Sequence, residues 1–145
     1  MLRIKQLLLG LATISLLAPV LTSAEVLTIN ISAVQASRGN IMIQIANSEE
    51  GWKFPEDSFP PVAQIMEPAQ KGEMAFQTTL PAGTYAVQVM HDEDADGEMD
   101  TNFVGIPKEP FGFSNNVMGK MSPPKWKDAK FEIPGDASIE IFLKN

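Results

Sequence analysis

Cysteine is absent from this chain of 145 residues, and histidine occurs once, as His91. Without cysteine the protein can form no disulfide, no thiolate metal site and no lipid anchor built on a cysteine, and it has no thiol nucleophile. A single histidine excludes the multi-histidine sites that hold zinc or iron. The sequence also lacks a glycine-rich phosphate-binding loop and the nucleophile elbow of serine hydrolases. Many common classes of enzyme are therefore excluded.

Long apolar runs are also lacking, except for one at the N-terminus. There, Arg3 and Lys5 precede an almost wholly apolar stretch, Leu7–Leu21, and small residues follow at Thr22 and Ala24. A basic start, an apolar middle and a small-residue exit are typical of a secretory signal peptide. A retained membrane anchor would need about 20 apolar residues, and this stretch is shorter. The pattern therefore predicts a signal peptide over residues 1–24 that is cleaved on export.

The predicted mature chain, residues 25–145, has the length of one domain and is strongly acidic. The leader contains two of the 11 basic residues and none of the 18 acidic ones, so nine bases face 18 acids and the mature net charge is −9. Nucleic acid and anionic lipid would repel such a chain. We expect a periplasmic or secreted protein that binds no nucleic acid and has no integral membrane segment after cleavage.

Alternating apolar and polar residues predict an all-β fold. Seven segments are predicted as strands, the first four strongly and the last three weakly: 27–32, 41–46, 85–90, 139–143, 62–66, 73–79 and 129–133. Turn residues separate them, and Arg38–Asn40 suggests a hairpin between the first two strands. About seven short antiparallel strands favour a single β-sandwich of the immunoglobulin-like kind.

Residues 101–127 are rich in proline, glycine and aromatic residues, and they are predicted to form one long ordered loop. Proline excludes a central strand or a long helix there, and the aromatic residues are too many for a disordered tail. Core packing is expected for four aromatic residues of this region and for one that follows it: Phe103, Phe111, Phe113 and Trp126, and then Phe131. The alternative is a shallow aromatic patch that binds a sugar or a peptide and is extended by Trp52 and Phe54.

Six carboxylates lie between His91 and Asp100, and their spacing matches that of a calcium-binding loop. Carboxylates occupy the first, third, fifth and ninth places, and Gly97 at the sixth place permits a sharp turn. Calcium takes six to eight oxygen ligands, which such a loop directs inward from alternate places. The twelfth place holds Phe103 instead of the glutamate of an EF-hand. The predicted metal ligands are Asp92, Asp94, Asp96, the backbone carbonyl of Glu98, and Asp100.

Other residues near this loop are candidates for ligand binding or for support of the loop: His91, Asn102, Glu109 and Asn115. A solvated acidic hairpin and a site for another divalent metal are the alternatives to calcium. His91 is expected to be a strand-end residue that hydrogen-bonds to loop backbone, and no catalytic residue is assigned. The rival functions are a hydrolase that uses His91 with loop carboxylates, and an envelope adhesion or assembly protein that pairs through a strand edge.

Three long motifs cover residues 80–87, 91–102 and 105–116. They read Leu-Pro-Ala-Gly-Thr-Tyr-Ala-Val, then the acidic loop through Thr-Asn, then Gly-Ile-Pro-Lys-Glu-Pro-Phe-Gly-Phe-Ser-Asn-Asn. Together they resemble the bacterial exported proteins of unknown function known as DUF2141. The resemblance implies a bacterial origin, export and a compact β-sandwich, but no known activity. Members of that family often have asparagine in place of Asp94 or Asp96, which keeps an oxygen for calcium.

Two shorter resemblances agree with this interpretation. The acidic loop is similar to the nine-residue calcium loops of integrin-type propellers, and the first motif resembles the turn and strand of transthyretin-like and collagen-adhesin B-type sandwiches. A fold-level likeness says little about function. The favoured hypothesis is a non-enzymatic, calcium-stabilised binding module whose partner is an unknown protein, peptide or glycan. The calcium-bound loop would hold residues 105–116 in place.

Overall fold

A computed structural model describes residues 23–52, 61–120 and 122–145. Most of the predicted leader, and Phe54, lie outside these ranges. The described residues form eight strands: β1 (Ala24–Val34), β2 (Asn40–Ala46), β3 (Ala63–Pro68), β4 (Gly72–Pro81), β5 (Gly83–Asp92), β6 (Phe111–Phe113), β7 (Phe131–Ile133) and β8 (Ala137–Phe142). Their helices are short: α1 (Glu49–Trp52), α2 (Trp126–Ala129) and a 3₁₀ turn (Ser114–Asn116). The all-β prediction is confirmed, and β6 is a strand that the sequence pattern did not indicate.

The strands form two sheets. One has three strands in the order β4, β1, β8, and the other has the order β3, β2, β5, with both β6 and β7 along the far edge of β5. β6 pairs with residues 88–90 of β5, and β7 pairs with residues 83–85. β5 is therefore central, and its C-terminal end leads directly into the acidic loop.

The two sheets share one apolar core, which explains the period-two pattern. Along most of β1 and β2 every second residue is buried and its neighbours are partly or fully exposed, whereas β5 also buries Ala86 and Asp92 on its outer side. The core is filled mainly by branched aliphatic side chains: Leu27, Ile29 and Ile31 of β1, Ile41, Ile43 and Ile45 of β2, Val87 and Val89 of β5, and Ile141 of β8. Each such side chain contributes about 1.5–3 kcal/mol when fully buried. The immunoglobulin-like or transthyretin-like kind of sandwich stays a prediction.

Two of the predicted pairings are wrong. β1 and β2 do not form a hairpin, because they belong to different sheets and the chain crosses between the sheets at residues 35–39. The fold is also not wholly antiparallel, since β1 pairs with β8 in parallel. Alternation determines which face of a strand is buried, but it leaves the neighbouring strand undetermined.

The proline-rich segment packs a second, smaller cluster onto the outer face of the five-stranded sheet. Trp52 of α1 is buried there, with its ring centroid 5.8 Å from that of Phe113 and 6.3 Å from that of Trp126. Its indole N–H donates to the carbonyl of Pro124 at 2.7 Å. The prediction of core packing is wrong for Phe103, which is 99% exposed. Within the described ranges, no helix has the length and apolarity needed to cross a membrane.

Candidate metal centre in the acidic loop

The last two residues of β5 point in opposite directions and are both buried. His91 follows Val87 and Val89 on the core side and is 0% exposed. Its Nε2–H donates to the carbonyl of Arg38 at 2.8 Å, which leaves Nδ1 buried without a partner among the described residues. Asp92 lies on the other side of the strand and is 1% exposed. β5 thus delivers a buried carboxylate to the start of the loop.

The loop curls around this carboxylate. Asp92 accepts hydrogen bonds from the backbone N–H groups of Asp96 at 3.2 Å and Gly97 at 3.0 Å. Gly97 has φ +84°, a conformation that glycine adopts without steric cost. Further along, Asp96 accepts the N–H of Glu98 at 2.8 Å. These short-range bonds fold the predicted ligand positions back onto one another.

Three of the predicted ligands converge. One carboxylate oxygen from each of Asp92, Asp94 and Asp96 lies within 4.8 Å of the others. Two ligands on opposite sides of a calcium ion are about 4.6–5.2 Å apart, because each lies about 2.3–2.6 Å from the ion. The carboxylate of Asp100 is not in this group, and Glu98 is exposed. The geometry therefore suits a cation that shares at least three carboxylates.

Desolvation and the neighbouring carboxylates change the pKa of Asp94, which is exposed. Desolvation within the loop raises the pKa of Asp94 above its ordinary value of 3.8, and the negative charges of Asp96, Asp100 and Asp92 raise it further. The backbone N–H of Asp96 acts in the opposite direction. Protonating Asp94, or placing a cation beside it, would relieve the repulsion.

A buried carboxylate from outside the loop fastens both of its ends. Glu109 is 3% exposed; its Oε1 accepts the N–H of Glu93 at 2.7 Å and its Oε2 accepts the N–H of Asp100 at 3.1 Å. The carbonyl of Asp100 in turn accepts the N–H of Lys108 at 2.8 Å. Hydrogen bonds to an ionised acceptor are the stronger kind. Glu109 therefore acts as a brace across the loop.

Between Asp100 and Lys108 the chain forms a small hairpin, residues 101–107. Its stem is the antiparallel bridge between Thr101 and Pro107. At its base, Asn102 Oδ1 accepts the N–H groups of Val104 and Ile106, each at 3.0 Å, and the N–H of Asn102 donates to the carbonyl of Ile106 at 2.9 Å. The backbone is thereby satisfied locally, and the apolar side chains at the tip point into solvent.

The remaining candidate, Asn115, lies elsewhere. It has φ 58°, and its amide donates to the carbonyls of Asp128 and Lys130, both at 3.0 Å. It therefore ties the 3₁₀ turn to α2. Gly39 has φ +65°, and a Cβ atom built there would lie 1.9 Å from the carbonyl oxygen of Asp92. Neither this close approach nor the exposed tip was predicted from the sequence. A glycine next to the strand-crossing segment was the available signal for the first, and the asparagine followed by a glycine three residues later was the signal for the second.

These observations define a class: a small two-sheet β protein with a carboxylate-rich loop at the end of its central strand. The family model for DUF2141, described as an uncharacterized protein conserved in bacteria, matches residues 29–141. The chain therefore belongs to this family, and the match spans both sheets and the whole acidic loop. No curated protein and no solved structure gave a match.

Proposed function

We propose that the chain is an exported binding module without enzymatic activity, stabilised by calcium in the acidic loop. The observation that carries the proposal is the convergence of the Asp92, Asp94 and Asp96 carboxylates to within 4.8 Å. Hard oxygen ligands suit calcium, and exported proteins meet it at concentrations where even weak sites fill, with dissociation constants of about 10⁻⁴–10⁻³ M. In this proposal calcium takes the place that disulfides have in many exported domains.

Calorimetric titration of the mature protein with calcium tests this proposal. We expect one site, and a higher melting temperature in calcium than in excess chelator at constant ionic strength. At a free calcium concentration of 100 times Kd the gain in stability is about 2.7 kcal/mol. Asp96→Ala should abolish both effects. Asp128→Ala, which removes an exposed carboxylate of α2, should change neither. Absence of heat together with an unchanged melt would refute calcium binding.

The environment of His91 supports a binding role over the rival hydrolase. A general base must reach the proton that it abstracts from a bound substrate. His91 is 0% exposed, and its Nε2 is already engaged by the carbonyl of Arg38. A hydrolytic activity that is lost in His91→Gln while the far-ultraviolet spectrum is retained would favour the enzyme instead.

We assign the contact with the partner to the tip of hairpin 101–107. Phe103 is 99% exposed, Val104 62% and Ile106 58%, and the side chain of Asn102 accepts hydrogen bonds from two backbone N–H groups of the tip. An apolar tip whose backbone is already closed by hydrogen bonds loses less conformational entropy when it enters an apolar pocket. Calcium would hold this hairpin in position through the acidic loop at its base.

Substitution of Phe103 tests the assignment to the tip. In a pull-down from the bacterial envelope, the immobilised mature protein should bind a specific protein, peptide or glycan. The Phe103→Ser variant should not bind it. Phe142→Ser is the matched control, because Phe142 is also exposed, at 44%, but lies on β8. Equal retention by both variants would exclude the tip as the contact surface and would leave calcium binding untouched.

Mass spectrometry of the protein recovered from each cell fraction tests export and cleavage. The protein recovered from the periplasm or medium of an expressing bacterium should lack residues 1–24. Leu8→Arg, a charge within the apolar stretch, should block export and leave the full-length chain in the cytoplasm. A full-length wild-type chain in the cytoplasm would contradict the proposal.

A further inference from the structure

Three methionines form a row across the outer face of the five-stranded sheet. Met66 of β3 is the direct register partner of Met42 of β2, and Met42 is the direct register partner of Met90 of β5. Directly opposed side chains in antiparallel strands have Cβ atoms about 4.5–5.5 Å apart. The methionine row (Met66, Met42 and Met90) therefore brings three thioethers side by side from three different strands.

The row lies on the face that points away from the core. Its neighbours along the strands, Ile41, Ile43 and Val89, are buried between the sheets, so alternation directs the methionines outward. Met42 and Met90 are half-buried, and Met66 is 57% exposed. An ion can thus approach from the Met66 side, while the other two thioethers lie in a partly apolar environment.

The spacing allows three sulfurs to reach one ion. Strands lie about 4.7–4.9 Å apart, so the Cβ atoms of Met66 and Met90 are about 9–10 Å from each other. The sulfur is the second atom beyond Cβ on a flexible, unbranched side chain. Both outer side chains can therefore lean toward Met42 without any movement of the backbone.

The chemistry of the row is selective. Thioether sulfur is a soft, neutral ligand that selects Cu(I), whereas calcium and magnesium require oxygen. The row on one side is uncharged, because Gln64, Gln44 and Gln88 are register partners, whereas the row on the other side contains Asp92 of the acidic loop. At the end of the methionine row Phe111 is paired with Met90, and the face of an aromatic ring attracts a cation.

We propose that the methionine row is a Cu(I) site in which Met42, Met66 and Met90 bind one ion through their sulfurs. The site differs from the calcium site in ligand type and does not require calcium binding, and it rests on the proposed function only for export of the chain. It uses ligands that stay available outside the cytoplasm, where thiols become oxidised.

Competition with a chromophoric Cu(I) chelator under anaerobic, reducing conditions tests the proposal. The mature wild-type protein should withdraw one equivalent of Cu(I). Met42→Leu should lower the affinity by more than the ~10–100-fold that loss of an outer-shell partner costs. Met118→Leu is the matched control, because Met118 is 40% exposed but lies outside the row, and it should bind as the wild type does. The leucine substitutions conserve volume, so a thermal melt should show little loss of stability.

A second readout separates the row from the other methionines. In protein labelled at the methionine methyl groups, one equivalent of Cu(I) should shift the signals of Met42, Met66 and Met90 together and leave that of Met74 unchanged. No withdrawal of Cu(I) by the wild type would overturn the proposal. Equal withdrawal by the triple leucine variant, or shifts confined to other methionines, would overturn it as well.

Discussion

Glu109 accepts a hydrogen bond of 2.7 Å from the backbone N–H of Glu93, although the two residues are 16 positions apart in the chain. Its second oxygen accepts the N–H of Asp100, so one buried carboxylate closes the acidic loop at both ends. Metal sites depend on such outer supports, because the supports fix the direction of the ligands. The arrangement of the loop is therefore determined partly by a residue outside its calcium-like spacing.

Glu109→Gln should loosen the loop while preserving the shape of the side chain. An amide offers only one carbonyl oxygen, so either the N–H of Glu93 or that of Asp100 loses its acceptor. Loss of one of these part-buried hydrogen bonds should cost about 1 kcal/mol, which denaturant unfolding would measure, and calcium affinity should fall as well. Glu132→Gln, on the exposed side of β7, should change neither quantity. If both variants have the same stability, Glu109 is not a brace.

Asp94→Asn should stabilise the calcium-free protein at neutral pH. The pKa of Asp94 is raised in the folded state, mainly by desolvation and then by neighbouring carboxylates. Relative to ionised Asp94, protonated Asp94 therefore stabilises the folded protein. This stabilisation is complete below the unfolded-state pKa and is lost as pH rises through the folded-state pKa. The advantage of the asparagine variant should accordingly shrink as the solution is acidified through that range. Urea midpoints in chelator at constant ionic strength measure this difference, and Asp128→Asn should show none of it.

The parts of the fold that follow from local pattern were predictable. The isoleucines at 41, 43 and 45 alternate with Met42 and Gln44, and this period-two spacing of β-branched residues alone indicates a strand with one buried face. The spacing of Asp92, Asp94 and Asp96 around Gly97 likewise indicates carboxylates that turn toward one another. Both inferences need only the geometry of a few consecutive residues.

Features that depend on distant partners were not predictable. Nothing in β1 indicates that β8 pairs with it in parallel, because the same buried face can pack beside several neighbours. Phe103 looked like a core residue by type, yet the hydrogen bonds of Asn102 turn its backbone outward. The bracing role of Glu109 required the loop and the hairpin to be placed together.

Gly39→Ala should destabilise the protein through the backbone of the acidic loop. Gly39 has φ +65°, and a Cβ atom built there would lie 1.9 Å from the carbonyl oxygen of Asp92. Alanine at an incompatible backbone position costs more than about 1 kcal/mol, and displacement of Asp92 should also weaken calcium binding. Gly135→Ala is the control, since its Cβ would meet nothing within 4 Å. A Gly39→Ala protein as stable as this control would show that the close approach is unimportant.

Tyr85 should titrate at a higher pH in the folded protein than in the unfolded one. Burial raises the pKa of its hydroxyl, which donates to the carbonyl of Pro81 at 2.8 Å. Because the chain contains one tyrosine, tyrosinate absorbance reports this residue alone. Because the folded-state pKa is the higher one, the protonated hydroxyl of Tyr85 stabilises the folded protein. This stabilisation is complete below the unfolded-state pKa and is lost as pH rises through the folded-state pKa. Identical titration curves with and without urea would contradict this prediction.

Trp52→Phe should weaken the attachment of the proline-rich segment to the five-stranded sheet. The substitution keeps an aromatic ring near Phe113 but removes the N–H that donates to the carbonyl of Pro124 at 2.7 Å. We expect a loss of about 1–3 kcal/mol in the free energy of unfolding, because that buried carbonyl loses its donor and the smaller ring leaves space. Trp126→Phe should cost less, since Trp126 is only half-buried. Denaturant unfolding of both variants, followed by circular dichroism, compares them; an equal cost would mean that the hydrogen bond of Trp52 contributes little.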